Sequence, residues 1–71
     1  MKTKFAVALM KNGDESILAV FNTMEEADIF GRSNPFPKDA GLEYCFSCPF
    51  LKGKPHGNSI RVHSYYNASE A

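Results

Sequence analysis

Residues 16–34 constrain the fold most, because a strand pattern passes directly into a helix pattern there. The apolar and β-branched run at residues 17–21 indicates a strand. Thr23 and Glu26 have the spacing of a capping box, in which each side chain satisfies a backbone N–H of the other residue. Pro35 limits the helix, because the residue before a proline avoids the α region. The pattern predicts a strand, a cap and a short helix over residues 24–33.

A β-hairpin is predicted before the helix, with strands at residues 5–10 and 16–21. Asn12 and Gly13 between them are typical of a type I′ turn, whose central residues both need positive φ. The register of such a turn places Phe5, Val7, Leu9, Leu18 and Val20 on one face. The opposite face receives Ala6, Ala8, Met10, Ile17, Ala19 and Phe21. Because both faces are apolar, we expect the hairpin to lie centrally in its sheet.

The second half of the chain predicts another pair of strands. A loop at residues 34–41 holds Phe36 between two prolines. A third strand is predicted over 42–50, with Pro49 marking its end or a sheet edge. Residues 52–58 read as a flexible basic loop, residues 59–66 as a fourth strand, and the end of the chain, 66–71, as a frayed tail.

The element order is therefore ββαββ. We expect a single α+β domain over residues 1–71, with a mostly antiparallel four-stranded sheet and one short helix packed on one face.

Composition narrows the class of protein. The chain has 71 residues, a formal net charge of zero and 44% hydrophobic residues, which excludes a disordered chain and argues against a strongly basic nucleic-acid binder. It lacks the long apolar run of a membrane-spanning helix, and its N-terminal apolar stretch is too short for a signal peptide, so we expect a cytoplasmic protein without a membrane partner. No nucleophile or acid–base pattern is apparent, so we do not expect an enzyme.

The leftover apolar sheet face is the main functional signal. A single short helix covers one face only, and an uncovered apolar face indicates a contact with a second copy or with another protein. The alternative is that the proline loop and the C-terminal strand cover this face within one chain. We therefore expect a small interaction domain of otherwise unknown role. The candidate contact residues are Ala6, Ala8, Ile17, Ala19, Phe21 and Phe36.

Nucleic-acid binding is the alternative. Residues 44–71 carry three Lys/Arg and one acid, so this half is mildly basic. Aromatic side chains on a sheet can stack bases while basic side chains follow the phosphates. The candidate residues are Lys52, Lys54, Arg61, His63 and Tyr65.

A zinc-stabilised domain is a second alternative. Cys45, Cys48, His56 and His63 offer the sulfur and nitrogen ligands that zinc prefers. Residues 45 and 48 would point to opposite faces of a regular strand, however, and the close histidine pair of common zinc motifs is absent. We therefore expect no cofactor and two reduced cysteines, with zinc retained as the alternative.

Overall fold

A computed structural model describes residues 2–33 and 41–67. Its elements are β1 (Lys2–Lys11), β2 (Asp14–Phe21), α1 (Met24–Ser33), β3 (Leu42–Leu51), β4 (Lys54–Pro55) and β5 (Ile60–Asn67). The ββαββ order is confirmed, with the two-residue β4 as an addition. The backbone of β5 extends through residues 66 and 67, which were predicted to fray. Phe36 and the rest of 34–40 lie outside the described residues, as do 68–71.

The described strands form one antiparallel sheet in the order β2-β1-β3, and the far side of β3 pairs with both β5 and β4. β5 runs along residues 42–47 of β3, whereas β4 pairs with its last two residues. The sheet curls into a half-barrel. Within the described residues, no helix is long and apolar enough to cross a membrane.

Two tight turns connect the strands of the two hairpins. Asn12 and Gly13 have φ values of 54° and 83°, so the predicted turn with two positive-φ residues is confirmed, and Lys11 pairs with Asp14 beside it. A second such turn joins β3 to β4, with φ values of 52° at Lys52 and 78° at Gly53. The prediction of a flexible loop over 52–58 is therefore wrong for the start of that range, where a hairpin forms.

The predicted cap holds α1 in place. As predicted, the Thr23 hydroxyl accepts a hydrogen bond from the Glu26 backbone N–H, at 3.2 Å. The Glu26 carboxylate was predicted to accept from the Thr23 backbone N–H, but it instead accepts from the Thr23 hydroxyl at 3.1 Å. Ala27 and Gly31 are buried against the sheet, whereas Ile29 is 66% exposed. The helix is thus held by its cap and by packing.

The sheet face under α1, which we call the helix face, carries Val7 and Cys45, and both belong to one core cluster with Ala27 of the helix. These are fully buried, and partly buried apolar side chains surround them: Phe5, Leu18, Phe21, Phe30 and Tyr65. Phe21 and Phe30 join β2 to the helix, with ring centroids 5.5 Å apart.

A bulge in β2 corrects the predicted face assignment. Ala8 pairs with Ile17 but Val7 pairs with Ala19, so Leu18 is an extra residue in the strand. After a bulge, each side chain lies on the face opposite to the one that an uninterrupted strand would give it. Phe21 and Ala19 therefore lie on the helix face, not beside Ala8 as predicted. The bulge lets both Leu18 and Phe21 pack beneath the helix.

Pro49 does not end β3 or place it at an edge, contrary to the prediction. Its carbonyl oxygen accepts from the His56 backbone N–H at 2.7 Å, on the β4 side. The N–H and C=O of one strand residue point to the same side, so the missing proline donor also faces that side. The ladder with β1 loses no hydrogen bond there, and Thr3 pairs opposite Pro49 without a register shift.

The opposite face of the sheet, which we call the aromatic face, is covered by side chains of β3. Tyr44 lies opposite Ala8 and Phe46 opposite Ala6. Both alanines are fully buried, and the two aromatic residues are only 3% and 4% exposed. The small alanines leave space for the large rings. Cys48 and Phe50 belong to the same cluster. The prediction of an open apolar face is therefore wrong for these residues.

Candidate contact groove

Bulges in β5 separate side chains that the sequence pattern had placed together. Arg61 pairs with Phe46, His63 with Cys45 and Ser64 with Tyr44, so Val62 and Tyr65 are extra residues. Arg61 consequently lies on the aromatic face, whereas His63 lies on the helix face. A strict two-residue period would put both on one face.

The proposed nucleic-acid residues occupy three places. Lys52 lies in the β3–β4 turn and Lys54 follows it in β4. Arg61 stacks over the Tyr44 ring at 4.4 Å on the aromatic face. His63 and Tyr65 lie on the helix face with their rings 4.9 Å apart. The structure does not assemble the five residues into one surface.

The proposed zinc ligands divide into two pairs. Cys45 belongs to the helix face, opposite His63, whereas Cys48 belongs to the aromatic-face cluster. The Cys48 thiol lies 3.8 Å from the backbone oxygen of His56 and 3.3 Å from that of Pro49. Because the sheet separates the two sulfurs, the four residues do not converge, and no group of three or more ligand side chains occurs in the described part of the chain.

The contact residues expected on the sheet face also separate. Ala6 and Ala8 have no exposed surface, so they cannot touch a partner in this conformation. Phe21 lies under the helix, whereas Ile17 remains on the aromatic face and is 39% exposed. Phe36 lies outside the described residues.

A groove between α1 and β5 was not predicted from the sequence. It consists of two adjoining hollows of about 330 and 210 Å³ that share Arg32, His63 and Tyr65. We call it the α1–β5 groove, and its further lining residues are Met24, Asp28, Gly31, Val62 and Ser64. Met24 is 48% exposed and Val62 39% exposed, although both are apolar. Arg32 donates to the Asp28 carboxylate at 2.8 Å on the helix side of the groove.

Tyr65 forms a fixed wall of this groove. Its hydroxyl donates to the Ala27 backbone oxygen at 3.5 Å, and its ring lies so close to Gly31 that a Cβ there would overlap it. Burial is the main cause that raises the pKa of Tyr65, so its hydroxyl remains a donor at neutral pH. Burial also raises the pKa of the adjacent Cys45 thiol, the opposite of what an activated thiolate requires.

Two of the groove residues, His63 and Tyr65, are also candidates from the sequence, which predicted them as part of a nucleic-acid-binding surface. A strict two-residue period along β5 would place Val62 on the strand face opposite to that of Tyr65. The bulges that bring Val62 and Tyr65 to the same groove leave no signature of glycine or positive φ in the described part of β5.

Comparison of the chain with models of known families, with curated proteins and with solved structures gives no match in any of the three.

Proposed function

We propose that this chain is a non-enzymatic interaction domain that binds another protein by accepting an apolar side chain in the α1–β5 groove. The observation that carries the proposal is the exposure of Met24 and Val62, 48% and 39%, in one hollow about 210 Å³ in volume. Exposed apolar side chains within a concave site are typical of a contact surface.

The chemistry of the groove favours a protein partner. Tyr, Met and Arg are enriched at protein interfaces, where an apolar centre is surrounded by polar groups. Met24 and Val62 supply the apolar part, Tyr65 the rigid aromatic wall, and the Asp28–Arg32 pair the polar rim. This is the arrangement in which one anchoring side chain of a partner contributes most of the binding energy.

A second copy of the chain fits less well. A symmetric dimer buries the same patch on both subunits, so the patch must be complementary to itself, and two concave grooves are not. Pairing through the outer strands is also disfavoured, because bulges interrupt both β2 and β5. We therefore assign the groove to a different protein that presents a projecting apolar residue.

Selection from a displayed library of random peptides tests this proposal directly. We expect selected peptides to share an apolar anchor and to lose at least about tenfold in affinity against Met24→Ser or Val62→Ser, equivalent to about 1.4 kcal/mol. The measurement is fluorescence anisotropy of the labelled peptides.

Ile29→Ser is the matched control. Ile29 is 66% exposed on the same helix but does not line the groove, so its replacement removes exposed apolar surface without altering the site. Peptides that weaken equally against Ile29→Ser, or no enrichment of any peptide, would contradict the proposal. Concentration-dependent dimerisation that Met24→Ser abolishes would assign the groove to a second copy instead.

A further inference from the structure

A second hollow lies on the aromatic face, on the other side of the sheet from the α1–β5 groove. Its volume is about 420 Å³, and its lining residues are Met10, Glu15, Tyr44, Phe46, Ser59 and Arg61. We call it the Tyr44 pocket. Its Tyr44 and Phe46 side chains are almost fully buried, so the aromatic floor is held in place by the core.

Two charges of opposite sign flank this floor. Glu15 comes from β2 and accepts a hydrogen bond from the Tyr44 hydroxyl. Arg61 comes from β5, and its guanidinium lies over the Tyr44 ring with 4.4 Å between its Cζ and the ring centroid. Within the described residues, neither Glu15 nor Arg61 forms an ion pair. The pocket therefore presents a separated carboxylate and guanidinium.

Each charged group keeps binding capacity for a ligand. The Tyr44 hydroxyl occupies one Glu15 oxygen, which leaves the second oxygen as an acceptor for an ammonium group. A guanidinium stacked on an aromatic ring keeps its N–H groups at its edge, where they match the two oxygens of a carboxylate. Met10, which is only partly buried, also lines the pocket and adds apolar surface.

We propose that the Tyr44 pocket binds a small zwitterion of the α-amino-acid type, with its ammonium group at Glu15, its carboxylate at Arg61 and an apolar side chain against Met10. A ligand with only one charge would satisfy one of the two protein groups and be repelled by the other. This assignment does not depend on the α1–β5 groove.

Titration of the ¹⁵N-labelled protein with L-leucine tests the proposal, with amide NMR shifts as the readout. Isocaproate, which has the same side chain but no amine, and isoamylamine, which lacks the carboxylate, are the matched ligand controls. We expect leucine to shift saturably the amides of the Tyr44 pocket, such as those of Glu15, Ser59 and Arg61. Each control should bind at least tenfold more weakly.

Protein variants then assign the two charges. Arg61→Gln and Glu15→Gln should each weaken leucine binding at least tenfold, whereas Lys52→Gln and Asp14→Asn, which alter exposed charges outside the pocket, should leave it unchanged. Glutamine at position 15 retains an acceptor for Tyr44, and the dispersed amide spectrum of each variant verifies its fold.

Three results would overturn the proposal. They are the absence of saturable shifts with leucine, shifts confined to residues outside the pocket, and isocaproate or isoamylamine binding as tightly as leucine. The last result would assign the pocket to an anion or a cation alone.

Discussion

The two faces of the sheet are buried by different means. On the helix face, a separate element covers the strands, and a bulge in β2 turns Phe21 toward Phe30 beneath it. On the aromatic face, β3 buries its neighbour β1, because Tyr44 and Phe46 lie opposite Ala8 and Ala6 in one core cluster. A run of small apolar residues in one strand therefore need not mark an open surface when aromatic residues alternate in the strand beside it.

This difference determines which part of the molecule is available for contact with a partner. If the aromatic face were open, its alanines would be the natural place for a partner. Because its rings cover it, the exposed apolar residues of the described chain lie at the margins, and Met24 and Val62 meet in the α1–β5 groove. The function we propose follows from the way in which the sheet is covered.

The largest effect is expected from Phe46→Ala on the aromatic face. Phe46 is 4% exposed, and truncating a buried phenylalanine costs about 3–5 kcal/mol through lost burial and the cavity left behind. The measurement is the free energy of unfolding in urea. Ile60→Ala is the control, since Ile60 is 68% exposed and should change stability by well under about 1 kcal/mol. Equal effects of the two substitutions would mean that the aromatic face is open.

Gly31→Ala tests the helix face. Helix propensity alone predicts a gain of about 1 kcal/mol from alanine inside a helix. The new Cβ would overlap the Tyr65 ring, however, and overpacking costs about 1–3 kcal/mol, so we expect a net loss or no gain in thermal stability.

The double variant Gly31→Ala/Tyr65→Ala separates these contributions. With the ring removed, alanine at position 31 should stabilise the Tyr65→Ala background. If Gly31→Ala stabilises the protein that still has Tyr65, the close contact between α1 and β5 does not exist.

A smaller loss is expected from Thr23→Ala. The Thr23 hydroxyl caps the Glu26 backbone N–H, and removing such a cap costs about 1 kcal/mol. Thr23→Ser keeps the hydroxyl and should retain most of the stability. Urea unfolding of both variants measures the difference, and indistinguishable values would show that the cap contributes nothing.

The smallest effect is expected at high pH, where the free energy of unfolding should fall. Burial, followed by the hydrogen bond to Glu15, raises the pKa of Tyr44 to about 12 from its usual value of about 10. The folded protein then holds this proton more tightly than the unfolded chain. The stability from Tyr44 is thus complete below about pH 10 and is lost as the pH rises through about 12.

Tyr44→Phe should flatten the fall in stability between these pH values, although the raised pKa of Tyr65 leaves part of it. Urea unfolding at several alkaline pH values measures the slope, and Tyr65→Phe isolates the second contribution. The same slope in the native protein and in Tyr44→Phe would place the Tyr44 hydroxyl in solvent.

Local signals in the sequence predicted the elements well. The Asn12-Gly13 turn and the Thr23 cap both depend on neighbouring residues, so their chemistry can be read from the chain itself. The glycine of the Lys52-Gly53 turn also indicates a tight turn, since it supplies one of the two positive φ angles. The hairpin there was missed because residues 52–58 were predicted as one flexible loop.

The faces of β2 and β5 were not predictable in the same way. Each bulge shifts every later side chain to the other face of the sheet. The contacts that favour a bulge are made with residues distant in sequence. Leu18 is extra because Phe21 packs under α1, and Tyr65 reaches the helix at Ala27 and Gly31. The candidate site lies at such a position, so residue periodicity alone could not locate it.

The most direct test of this account is an isotope-filtered NOESY experiment on a mixture of labelled and unlabelled protein. We expect contacts between the Tyr44 ring and the Ala8 methyl, and between the Phe46 ring and the Ala6 methyl, and we expect both to arise only within one chain. Contacts of either methyl with a second chain, or methyls that contact only water, would contradict the claim that the sheet covers its own aromatic face.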